Sequence, residues 1–111
     1  MIEALWSVKF VVPKNRDYGA GVVVLENGLI RGGDSSYYYL GDFSIKEGVI
    51  TASVSVNHYF GEMNNVFGPI KHINVDLSGK IAYDQFRLTG AAKGLQEAIY
   101  VEFQRLAEIS P

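Results

Sequence analysis

Apolar side chains recur at every second position along most of this chain, not at every third or fourth. That period belongs to a strand with one buried face, because successive strand side chains point to opposite sides. In Leu5–Val12, Trp6, Val8, Phe10 and Val12 alternate with Leu5, Ser7, Lys9 and Val11. Val49–Phe60 is the cleanest case, with Ile50, Ala52, Val54 and Val56 opposite Thr51, Ser53, Ser55 and Asn57. Ile70–Leu77 sets Ile73, Val75 and Leu77 against His72, Asn74 and Asp76, and Ser78-Gly79 predicts a turn into a strand over Ile81–Leu88. Ala98–Ala107 alternates Ile99, Val101 and Phe103 with Tyr100, Glu102 and Gln104. Leu95, Ile99, Phe103 and Leu106 would also form a helical stripe there, but the tight β-branched and aromatic alternation favours a strand.

Gly19–Leu25 is apolar on both faces, as expected of a strand covered twice or paired in an oligomer. Asn27-Gly28 after it is a strong hairpin signal, since both residues tolerate the positive φ of a type I′ turn. Next comes the block GGDSSYYYLGDF, Gly32–Phe43. Paired glycines allow a bulge or sharp bend, and Asp34, Ser35 and Ser36 close turns through backbone bonds. Alternation sends Tyr37, Tyr39 and Phe43 to one side and Tyr38 and Leu40 to the other, so the tyrosines are not one three-ring cluster. The count reaches about eight strands joined mostly by short turns, enough to close an antiparallel up-and-down barrel and remove its edges. The expectation is a single all-β barrel domain spanning residues 1–111.

At 111 residues the chain is long enough for one core. Its ten basic residues are scattered and the net charge is −2, which gives neither nucleic acid nor an anionic membrane an electrostatic footprint. The absence of cysteine excludes disulfides, thiolate metal sites and cysteine catalysis. MIEALWSVKFVV carries Glu3 and no basic stretch before a long apolar run, so it is not read as a signal peptide, and a cytoplasmic protein is expected.

Catalytic chemistry is sparse. His58 falls in phase with an apolar face near a strand end, where a barrel pocket would open, and His72 falls on a polar face. No histidine and carboxylate spacing fits a metal, no serine sits in a nucleophile elbow, and no cofactor is expected. Trp6, Phe10, Tyr37, Tyr39 and His58 are the candidate lining of a barrel interior, together with Phe86. The loop Gly61–Pro69 carries Met63, Val66 and Phe67, a candidate partner-binding or mouth-covering segment. Two functions stand open: a regulatory module that binds another protein, and a carrier or sensor of a small apolar ligand held in the interior.

LWSVKF, then GAGVVVLENGLIRGGDSSYYYLGDF, then a strand ending NHYF, resemble the GrlR-like family of bacterial regulators, best from Leu5 to about Phe60. The resemblance implies a lipocalin-like barrel, a homodimer, an apolar cavity and no enzymatic activity. It also implies negative regulation of type III secretion through direct binding of an activator protein. The family's named member uses alternating Glu and Asp in the turn after the aromatic block; here that turn is Ser44-Ile45-Lys46-Glu47-Gly48, with one acid and a lysine.

Overall fold

A computed structural model describes residues 2–13, 17–63, 68–94 and 98–109. Eight strands run in chain order: β1 (Ala4–Val12), β2 (Asp17–Glu26), β3 (Leu29–Gly33), β4 (Tyr37–Lys46), β5 (Val49–His58), β6 (His72–Lys80), β7 (Gln85–Ala92) and β8 (Ala98–Glu108). Each pairs antiparallel with its chain neighbour, and β8 returns to β1, closing the barrel. The period-two pattern dictates which side faces in: Trp6, Val8, Phe10 and Val12 are buried from β1, and Ile50, Ala52, Val54 and Val56 from β5. The last segment is a strand, not a helix.

Two hairpins turn on residues with positive φ, Asn27-Gly28 and Glu47-Gly48, as type I′ turns require. At Gly32-Gly33 the structure departs from the sequence expectation. The register runs through both glycines without a shift. They serve close approach instead: a Cβ on Gly32 would collide with the carbonyl of Val22 on the neighbouring strand. Ser78-Gly79 is likewise not a turn, because β6 continues to Lys80 and the chain reverses over residues 81–84. Gly79 lies where β7 crosses closely, its missing Cβ leaving room for the Arg87 carbonyl, which would otherwise be 2.6 Å away. The two-sided strand β2 resolves into buried Val23 and Leu25 and an outward Val22 that is 44% exposed.

Among the described residues, aromatic rings pack in the interior towards both ends. At the end where the chain begins, Trp6 meets Phe86 edge-on at 5.0 Å and Phe103 at 6.2 Å, and those two stack at 4.8 Å. Towards the other end Phe10 meets Tyr39 at 5.1 Å, and Tyr37 meets His58 at 5.3 Å. Arg105 closes the first end, its guanidinium 4.8 Å from the Trp6 ring and 4.0 Å from that of Tyr83. A bulge in β8 opposite Leu5 and Trp6 brings this arginine beside Trp6, as bulges re-aim side chains at barrel rims.

Candidate functional site

The block GGDSSYYYL is organised by one carboxylate. One oxygen of Asp34 accepts the backbone N–H groups of Ser36 (2.9 Å) and Tyr37 (2.8 Å), and the other accepts the hydroxyl of Tyr39. The Asp34 N–H donates to the Tyr37 carbonyl at 2.8 Å. An aspartate bonding amides two and three residues on is an Asx-type turn, which is why Asp suits this position. The ring of Tyr39 is 1% exposed. Burial first, then the bond to Asp34 and its charge, push its hydroxyl well above the usual tyrosine range, so it stays a neutral donor.

The other side of the same turn holds the end of β5. Ser36 offers its carbonyl to the N–H groups of Tyr59 (2.9 Å) and Phe60 (3.3 Å), and the Tyr59 hydroxyl donates to the Asp34 carbonyl at 2.6 Å. His58 Nε2 lies 2.8 Å from the carbonyl of Gly61; a carbonyl only accepts, so that nitrogen carries the proton. Tyr37 donates its hydroxyl to the Ile70 carbonyl at 2.9 Å, tying the start of β4 to the segment that re-enters β6. These bonds fix an aromatic rim at the barrel mouth. Tyr59 is 55% and Phe60 69% exposed, with the Tyr38 ring 6.1 Å from that of Tyr59.

Of the residues singled out from sequence, Trp6, Phe10, Tyr37 and Tyr39 are buried in the interior and His58 stands half-buried at the mouth. Phe86 also points inward. Inside, the described residues bound a void of about 20 Å³, lined by residues such as Val8, Phe10, Ile30, Tyr39, Val101 and Phe103. That is room for about one water, and a site without polar partners stays dry. Met63 is half-buried, whereas Val66 and Phe67 lie outside the described residues. His72 is exposed, its Nδ1 2.6 Å from the Asn57 side-chain oxygen. Among the described residues no group of three His, Asp or Glu side chains is placed to hold a metal.

Sequence reasoning missed the exposed pair Tyr59 and Phe60, which alternation assigned to the end of a strand. The signal was HYFG, two aromatics running straight into a glycine, whose φ is +72° at Gly61. It also missed Arg105, which reads as polar filler yet has a side chain only 8% exposed. A scan against protein-family models finds no match, and a search of curated proteins returns no relative.

Proposed function

We propose that the protein is a non-enzymatic regulatory module of the GrlR-like type, acting in the cytoplasm by binding another protein through its aromatic rim. The observation that carries this reading is the exposure of Tyr59 and Phe60 on a backbone held to Ser36 and Asp34. Rigid exposed aromatics lose little entropy on binding and dominate interface energetics. The biology implied by the resemblance, holding back an activator of secretion genes, requires such a surface and no chemistry. The filled interior favours the outside of the barrel over cargo within it.

Affinity capture from host extract with the wild-type chain and with Tyr59→Ser/Phe60→Ser tests this. The expected result is one protein recovered by the wild type and lost with the double variant. Equal recovery by both, or no specific protein with either, refutes it. The alternative of a small apolar ligand in the interior predicts a non-covalent mass adduct in native mass spectrometry of the freshly purified chain.

A further inference from the structure

The barrel closes, but its wall is uneven at the mouth. Strand β2 runs ten residues and β3 five. β1 accompanies β2 from Leu25 to Asp17, whereas β3 stops at Gly33, opposite Val22. Two bonds show which way the uncovered backbone points. The Phe43 N–H donates to the Gly28 carbonyl and the Asp34 N–H to the Tyr37 carbonyl, both at 2.8 Å. Backbone groups alternate sides along an antiparallel strand, so even-numbered positions from Gly28 to Asp34 face β4 and odd-numbered ones, Gly33 included, face β2. Gly33 pairs with Val22, so the even positions of β2 face β3 and the odd ones face β1. Ala20 therefore turns its N–H and carbonyl away from β1, to the side that β3 has already left. Ala20 is exposed, and among the described residues no strand lies beside it there.

Backbone chemistry decides the occupant. A helix spends its N–H and carbonyl groups on itself, so an extended segment is what brings both to a strand edge at ladder spacing. Edges are commonly guarded by lysine, proline or a bulge. Gly19-Ala20-Gly21 carries no such residue and no side chain larger than a methyl, and its pairing with β1 runs without a shift. The edge also leads to the rim. The residue after Gly33 is Asp34, whose carbonyl accepts the Tyr59 hydroxyl at 2.6 Å. A segment following β2 towards the end of β3 thus meets the turn that holds Tyr59 and Phe60.

Resting on the reading of the rim as a protein-binding surface, we infer that the partner binds through an extended segment. That segment adds a strand to β2 at Ala20 and sets an apolar side chain against Tyr59 and Phe60 where it leaves the edge. Main-chain bonds at Ala20 supply affinity, and the rim supplies side-chain selectivity, the division of labour of strand addition.

Peptides selected from a random phage-displayed library against the whole chain serve as probes, with amide exchange followed by nuclear magnetic resonance. In the free chain the Ala20 amide should exchange faster than those of Gly19 and Gly21, which face β1, and a selected peptide should slow it. N-methylation of the peptide at alternate residues should weaken binding about tenfold in one register and little in the other, because one set of amides faces β2. Ala20→Pro removes the edge N–H at a position where strands tolerate proline; A20P should keep the wild-type circular dichroism and bind the peptide about tenfold more weakly. An Ala20 amide already protected in the free chain, equal sensitivity to methylation in both registers, equal binding by folded A20P, or a library that yields no peptide each overturns the inference. A wild-type dimer abolished by A20P assigns the edge to a second copy and overturns it too. Tyr59→Ser/Phe60→Ser separates the two readings. Loss of the peptide in that variant alone overturns the edge and keeps the rim, whereas loss in A20P alone keeps strand addition at Ala20 and refutes the rim.

Discussion

Asp34→Ala removes the acceptor that three donors share: the amides of Ser36 and Tyr37 and the hydroxyl of Tyr39. The two amides lie in a part-buried turn, and losing their acceptor costs about 1 kcal/mol together. The Tyr39 hydroxyl is the costlier loss, because its ring is 1% exposed; a buried donor left without an acceptor costs about 1–3 kcal/mol. The expected destabilisation is about 3 kcal/mol, a fall of about 12 °C in Tm for a domain of this size. Asp34→Asn keeps an acceptor for the amides and a polar partner for Tyr39, and should cost about 1 kcal/mol. Trp6 is the only tryptophan and is fully buried, so its fluorescence during urea unfolding reports the transition directly. The decisive comparison is a double-mutant cycle. Tyr39→Phe in the D34A background removes the stranded hydroxyl, so the two substitutions should couple by about 1–2 kcal/mol. Additive effects, or a D34A cost below about 0.5 kcal/mol, would refute this account of the turn, since surface changes without a mechanism fall in that range.

Stability should also fall at high pH. The folded pKa of Tyr39 is raised above its unfolded value, so above pH ~10 the unfolded chain releases a proton that the folded one retains, and stability drops by up to about 1.4 kcal/mol per pH unit. Below pH ~10 both states are protonated and the group adds no slope. Tyr39→Phe should show a shallower decline than wild type in urea titrations at pH 10–11.5; parallel curves would contradict the assignment. Gly32→Ala should cost about 3 kcal/mol or more, because its Cβ meets the Val22 backbone rather than a movable side chain. A soluble variant of unchanged Tm would show that β2 and β3 separate easily.

How far the fold is legible in the sequence follows from which interactions are local. Alternation in β1 and β5 identifies the inward residues because each side chain's facing depends only on its own strand. Asn27-Gly28 is equally local. Ser78-Gly79 misleads for the opposite reason. Its glycine answers to the crossing backbone of Arg87, a neighbour that composition around the dipeptide does not reveal. The rim lies between these cases. That Asp34 closes a turn is written in GGDSS, but its bond to Tyr39 follows from the inward turn of that ring. The capture of Tyr59 and Phe60 by Ser36 needs β4 and β5 paired with Tyr37 opposite His58. Arg105 is illegible without the bulge that turns it towards Trp6.

An eight-stranded barrel has an interior that side chains can fill or that can hold one small ligand, and here large rings occupy much of the space the described residues enclose. To admit even a benzene-sized guest, needing on the order of 150 Å³, the void of about 20 Å³ would have to take in the space of a whole ring. Displacing a buried aromatic forfeits about 3–5 kcal/mol, judged from its truncation to alanine. A guest of that size recovers a comparable amount from its own burial, at about 25 cal/mol per Å², which leaves little to drive binding. Tyr39 raises the barrier further, because moving its ring also breaks the bond to Asp34 and loosens the turn that carries the rim. The same ring that narrows the interior thus bonds the residue whose carbonyl accepts the Tyr59 hydroxyl, so the packing inside and the rim outside are linked through Asp34.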